Sequence, residues 1–184
     1  PLIEVRIREG RQSEIVEDVR NGAADFGIGY VTALPDLLEA TVLKKEPLYV
    51  LIPTSHPLAI KKKPKVRLAE LKDEPLVSAP NDTYLRRLVD AAAMSAGFTL
   101  HYSVTVDRLL SILHPAFAGA GTGILPAGCI PEISWGEGCH SALLVEPSLS
   151  VTVGLISSRS RYMTPAAAGM AALIREQMAT KAKT

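Results

Sequence analysis

Ser78, Asn81 and Thr83 fall within one short stretch, Ser78-Ala79-Pro80-Asn81-Asp82-Thr83. It lies between the apolar pair Leu76-Val77 and a helical pattern that begins near Tyr84. A helix N-terminus presents unpaired N–H groups and a partial positive charge, so a loop of this kind can hold a carboxylate or another anion. The competing reading is that Asn81 and Thr83 only cap the helix. Arg86 and Arg87 stand just inside it, which makes a small organic anion the default ligand. Thr122 stands in the glycine-rich turn Gly119 to Gly123, where small neighbours let backbone come close to a ligand. That turn lacks the Gly-Lys-Ser/Thr ending of a phosphate loop, and its simpler reading is a tight helix-to-strand turn. Tyr30 directly follows the run Phe26-Gly27-Ile28-Gly29, a glycine-containing strand pattern. This puts Tyr30 at a strand's carboxyl end, where ligands approach open α/β sheets.

Other residues with chemical potential read more simply. Asp25 is a turn residue bonding local N–H groups. His56, beside Pro57, is a partly exposed turn residue. Lys61-Lys62-Lys63-Pro64-Lys65 is a solvated loop, since no aromatic residues interleave with its charges. Cys129 and Cys139 show no metal-ligand spacing and read as free thiols in a reducing cytoplasm. No Ser/His/Asp or Cys/His set, metal spacing or carboxylate pair is apparent, so the expectation is no enzyme, no metal and no cofactor. With 20 basic and 19 acidic residues among 184, the net charge is +1. A DNA-binding module carries a clearer basic excess, so this chain is not expected to hold DNA itself. Its hydrophobic content of 47% fits a soluble globular protein. No apolar run spans a membrane, and the first residues do not read as an export signal.

The elements that must position these residues follow from periodicity. Ile3, Val5 and Ile7 alternate with Glu4, Arg6 and Arg8, which predicts a strand over Leu2–Ile7. A helix from Ser13 to Asn21 follows, closed by Gly22, then the strand Phe26 to Gly29. Strand, helix, strand implies a parallel sheet. Leu37 to Leu43 leads to a strand over Leu48–Ile52. Leu76-Val77 is a strand, Tyr84 to Ala96 a helix ending at Gly97, and Leu100 to Val106 a strand. A helix from about Asp107 must break at His114-Pro115. A loop from Pro131 to Cys139 holds the only tryptophan, Trp135, and strands return at Leu143–Val145 and Val151–Ile156. Thr164 caps a last helix with Pro165 at its first position. Met170, Leu173, Ile174 and Met178 form its apolar side, and Thr180 to Thr184 fray.

Val19-Arg20-Asn21-Gly22-Ala23-Ala24-Asp25-Phe26-Gly27-Ile28-Gly29 resembles the helix–turn–strand signature of the effector-binding domain of LysR-type transcriptional regulators. Four further segments match that family in order. They are Leu48 to Pro53 with His56-Pro57-Leu58-Ala59; Val66 to Leu71 with Glu74 to Val77; Gly119-Ala120-Gly121 with Ile124-Leu125-Pro126; and Arg159 to Ala167.

The resemblance implies an α/β fold of the periplasmic-binding-protein-like type II. Two Rossmann-like subdomains are joined by crossover strands. Residues 1–73 with 150–184 would form subdomain I, with its first strand and helix absent, and residues 74–149 subdomain II. An effector would bind in the cleft between the subdomains. Tyr30 and the loop with Ser78, Asn81 and Thr83 match positions where the family holds its effector, and Thr122 is added from its place in the turn. The expected partners are a small-molecule effector and a second copy of the chain, giving a dimer or tetramer. The strand at residues 2–7 and the helix at 84–96 resemble the surfaces that the family pairs head to tail. DNA would be reached only through a helix-turn-helix domain absent from this chain. The implied function is ligand sensing in a cytoplasmic transcription factor. The alternative is a solute-binding protein for transport, which shares the fold.

Overall fold

The computed structural model describes residues 3–130 and 138–181. Among them the order is α1 (Gln12–Asn21), β1 (Gly27–Tyr30), β2 (Leu38–Pro53), α2 (Pro57–Ile60), β3 (Lys65–Arg67), β4 (Pro75–Ser78), α3 (Tyr84–Ser95), β5 (His101–Thr105), α4 (Leu113–Phe117), β6 (Thr122–Pro126), β7 (Cys139–Val145), β8 (Ser150–Ser158) and α5 (Pro165–Lys181). Short 3-10 turns at Leu68–Leu71 and Leu109–Ile112 precede β4 and α4. The backbone divides into two units, residues 1–45 with 152–184 and residues 46–151, and β2 and β8 belong to both. The sequence reading places the first join at 73. Leu48–Pro53 pair with β6 and β7, which groups them with the second unit.

In the first unit α1 ends as its residues dictate. Gly22 takes φ 79°, and its N–H bonds the Val19 carbonyl. The Arg161 guanidinium donates to Val19 O as well, so a side chain at Gly22 would collide with it. The start of the helix differs from expectation. Arg11 takes the N-cap position, with its N–H bonded to Glu14 Oε2 at 2.7 Å, while Ser13 lies in the first turn. β1 pairs with β8 in antiparallel register, Gly27 opposite Ile156 and Tyr30 opposite Val153; the parallel partner expected for it, a strand over residues 2–7, is absent among the described residues. The apolar side of α1 meets Leu38 and Ile156 through Val19, with Ile15 and Val16 around them. α5 is capped by Thr164 Oγ1, which accepts from Ala167 N at 3.2 Å. It buries Ala167 and Ala171 and partly buries Met170, Ile174 and Met178, three of the four residues expected on its apolar side, whereas Leu173 is exposed.

The predicted strand over residues 2–7 is not formed. Residues 3–10 have no regular structure, and Ile3, Val5 and Ile7 are exposed, while Leu2 lies outside the described residues. Alternation makes a segment suitable for a sheet, but a strand exists only when a neighbour completes its hydrogen bonds.

In the second unit β4 lies between β5 and β6, parallel to both. β6 and β7 flank β2 in antiparallel register, and β3 pairs parallel with β7. The two apolar segments predicted around residues 37–52 are one continuous strand, β2. Pro47 sits just before the rungs that begin at Leu48, so its missing N–H costs no bond to β6 or β7. All five residues of β6 are buried, the pattern of a central strand. Leu51, Val77, Ile112, Leu113, Ala116 and Leu125 form a core on one face. The break expected at His114-Pro115 does not fall there: residues 109–112 form a 3-10 turn in place of the expected helix from Asp107, and α4 runs unbroken from Leu113 to Phe117 with Pro115 in its first turn, where a proline is tolerated. Of the loop expected over Pro131–Cys139, residues 131–137 with Trp135 lie outside the described residues and Cys139 opens β7; of the fraying expected over Thr180–Thr184, residues 182–184 lie outside them and α5 runs to Lys181.

Candidate functional site

The 78–83 loop leaves the carboxyl end of β4 and enters α3. α3 forms because Leu85, Val89 and Ala93 recur at helical spacing and are buried. Thr83 occupies the N-cap position in extended geometry but makes no side-chain cap. Its hydroxyl donates instead to Pro80 O at 2.8 Å, and its N–H reaches the same oxygen at 3.1 Å. α3 therefore begins without the side-chain cap that the competing reading requires. The Pro80–Asn81 peptide is trans, so an inward Pro80 carbonyl turns the Asn81 N–H outward. Asn81 itself is exposed. Ser78 is half-buried, and its carbonyl accepts from Val106 N at 2.9 Å. It borders a cavity with Leu85, Arg86, Tyr102 and Ile124 that has about 10 Å³ of space for the centre of a water. That is room for about one water and not for an organic ligand.

Behind the loop lies a polar network that the sequence reading does not foresee. Arg86 Nε donates to Asp90 Oδ2 at 2.7 Å, and Tyr102 OH donates to Asp90 Oδ1 at 2.5 Å. The Arg86 guanidinium also lies 3.2 Å from the centre of the Tyr102 ring, a cation–π stack. Burial first, and the Asp90 carboxylate second, hold the Tyr102 phenol protonated well above the ordinary tyrosine range. Arg86 and Asp90 are one turn apart on α3, and that i, i+4 spacing is the signal a sequence offers. The partner on β5 cannot be assigned without the fold.

Tyr30 ends β1 in the first unit. The Gln12 side chain grips its backbone twice: Nε2 donates to Tyr30 O and Oε1 accepts from Tyr30 N, both at 2.9 Å. The amide thus replaces one rung of a neighbouring strand. Gly29 makes room for it, since a Cβ there would stand 2.5 Å from Gln12 Oε1. Thr122 opens β6 opposite Leu76 and is 1% exposed. Its hydroxyl has no hydrogen-bond partner among the described residues. Ser78 lies two residues further along β4 than Leu76, so Thr122 is not at the level of the loop. The close backbone approach in this turn is between Gly121 and β4, where a Cβ would stand 2.6 Å from Pro75 O. The structure thus gathers Ser78, Asn81 and Thr83 on one loop, with Thr122 deeper in the same unit.

The remaining candidates are structural. Asp25 is exposed on the bend before β1, and its carboxylate forms no hydrogen bond among the described residues, contrary to the turn bond expected. His56 caps α2: Nδ1 accepts from Leu58 N at 3.2 Å, which leaves the Nε2 proton to Glu74 Oε2 at 2.6 Å. Lys63 is not merely solvated, since its ammonium bonds Glu70 Oε1 at 2.7 Å. Neither Cys129 nor Cys139 is in a disulfide, and burial pushes the Cys139 thiol up to about 11. Among the described residues no group of His, Cys, Asp and Glu could hold a metal, and no helix is long and apolar enough to cross a membrane.

The chain is a mixed α/β domain of two units, with two long strands that belong to both. The chain belongs to the LysR substrate binding domain family, whose model matches residues 1–179. It is 29% identical over 169 residues to the transcriptional dual regulator GltC of Bacillus subtilis (strain 168), covering 91% of this chain and 55% of that one. It is 34% identical over 129 residues to the uncharacterized HTH-type transcriptional regulator YnfL of Escherichia coli (strain K12), covering 69% of this chain and 43% of that one. The chain thus spans about half the length of these curated relatives. Among solved structures, the effector binding domain of QuiR in complex with shikimate aligns with a TM-score of 0.79 at 20% identity, over 93% of this chain and 79% of that one. The Synechocystis PCC6803 CcmR regulatory domain in complex with 2-PG aligns at 0.80 and 14% identity, over 95% and 83%. The fold is the periplasmic-binding-protein-like type II fold of these domains, and the family match does not favour the transport alternative.

Proposed function

We propose that this chain is the effector-sensing part of a cytoplasmic LysR-type transcription regulator. Its effector is a small organic acid that takes hydrogen bonds from the 78–83 loop, and a change in its conformer population is passed to a DNA-binding domain outside this sequence. One observation carries the reading. α3 starts without a side-chain cap while Thr83 is engaged with Pro80 and the Asn81 N–H faces outward. Such a terminus suits an acceptor-rich ligand. Ser78, Asn81 and Thr83 are the residues proposed to touch it, with Tyr30 and Thr122 as further contacts. The buried Thr122 hydroxyl supports its inclusion, because an unmade hydrogen bond at such a site costs about 1–3 kcal/mol. Like other regulators of its class, the chain is proposed to act as a homo-oligomer.

The test is a thermal-shift screen of small organic acids, with shikimate and 2-PG included, followed by calorimetry of the hits. Asn81→Ala, Thr83→Val, Tyr30→Phe and Thr122→Val should each weaken binding about tenfold or more while the protein stays folded. Four variants that bind like the parent would place the ligand elsewhere.

A further inference from the structure

We propose that Arg86 and Arg87 are positioning residues that lock the 79–83 loop by its carbonyls, so that their charge serves the loop and not a bound anion. Three loop carbonyls turn toward the start of α3. Ala79 O accepts from Arg86 Nη1 at 3.5 Å, and Asp82 O accepts from Arg87 Nη1 at 2.8 Å. Pro80 O accepts the N–H and hydroxyl of Thr83. Arg86 cannot swing away easily, because Asp90 holds its Nε and Tyr102 lies under its plane. Tyr102 in turn is fixed on β5, with its phenol donating to the other oxygen of Asp90. A line of contacts therefore runs from β5 through Tyr102, Asp90 and Arg86 to the Ala79 carbonyl. Only 15% of the Arg86 side chain is exposed, which shields this line from solvent screening.

The braces occupy the Ala79 and Asp82 carbonyls and so hide two acceptors of the loop. The one N–H that a carbonyl facing α3 turns the other way is that of Asn81, after Pro80 O, since Pro80 has no N–H and the Thr83 N–H is bonded to Pro80 O. The functional weight of this rests on the proposal that the loop binds the effector. The test therefore uses ligand-free protein, and its failure is separate from a failure to find binding at the loop.

Amide hydrogen exchange by NMR on the full chain reads the effect. The amides of Thr83 and Arg87 are bonded to Pro80 O and Thr83 O. Arg86→Met and Arg87→Met should each speed their exchange about tenfold, the loss of one charged hydrogen bond, with β7 changed by less than about twofold. Arg87→Lys should restore slow exchange, because one N–H is enough there. Arg86→Lys should not, because an ammonium cannot stack flat on Tyr102 and reach Asp90 and Ala79 together. If Arg86→Met does not fold, Arg87→Met and Tyr102→Phe, each cutting one link, carry the same comparison. Parent-like exchange in the loop, or an equal rise in β7, overturns the proposal.

Discussion

Glu70 gives the sharpest stability test in the second unit. Its carboxylate accepts from Lys63 Nζ at 2.7 Å, from the Arg67 backbone N–H at 3.0 Å and from Arg67 Nε at 3.3 Å. The Lys63 bond first, then the Arg67 backbone bond, draw the carboxyl from 4.5 down to about 2. At 1.36 kcal/mol per pH unit that gap is worth about 3 kcal/mol as an upper bound. One side of the carboxylate meets water, and solvent screening leaves about 1–2 kcal/mol. Glu70→Gln keeps the shape and an acceptor but removes the charge. It should lower the melting temperature by about 3–6 °C at pH 7. The folded value lies below the unfolded one, so the contribution is complete above about pH 4.5 and is lost as pH falls toward 2. Urea denaturation at pH 7, 5 and 3 follows it: the parent should lead the variant by a similar margin at the first two and by clearly less at the third. Added salt should narrow the lead at neutral pH. Equal midpoints at pH 7, or a lead that does not shrink in acid, would refute the account of this carboxylate.

Three further outcomes are expected. Gln12→Ala removes both bonds to the Tyr30 backbone and should cost about 1–3 kcal/mol in urea denaturation; parent-like stability would mean that water replaces the amide without loss. Asp25→Ala should change stability by less than about 0.5 kcal/mol, because the exposed carboxylate has no bond to lose, and a drop beyond about 1 kcal/mol would reveal one. Sedimentation at high micromolar concentration should show a dimer that uses α3 and the segment of residues 3–7, where Ile3, Val5 and Ile7 are exposed. Replacing Ile3 and Ile7 together by Lys should dissociate it, and a monomeric parent would remove the proposed interface.

Local signals carried much of the fold. Gly22 after Asn21, Gly97 after Ala96, and Thr164 before Pro165 each end or start a helix through backbone geometry that neighbouring residues decide alone. Strands were harder, because their partners lie far along the chain. Ile3, Val5 and Ile7 alternate as a strand should, yet without a paired neighbour the segment stays irregular. Residues 26–29 read as a strand correctly within one position, but their direction against β8 depends on residues more than a hundred positions away. Residues 38–43 and the strand expected over Leu48–Ile52 belong to one strand, since Pro47 between them lies ahead of the first rung paired with β6 and interrupts no bond there.

The candidate loop shows the same limit at the level of chemistry. Arg86 and Arg87 look like anion ligands because charge is what a sequence displays. In the structure Asp90 matches the charge of Arg86, and both guanidinium groups turn to loop carbonyls. Asn81 and Thr83 look like caps by type, but Thr83 donates its hydroxyl backward to Pro80 and so cannot donate it to anything else. One hydroxyl proton makes one bond; its oxygen still has lone pairs with which to accept. A ligand at Thr83 must therefore offer a donor, or displace Pro80, whereas at the Asn81 N–H it must offer an acceptor. A carboxylic acid bearing a hydroxyl group meets both demands within one small molecule, and a simple carboxylate meets only the second.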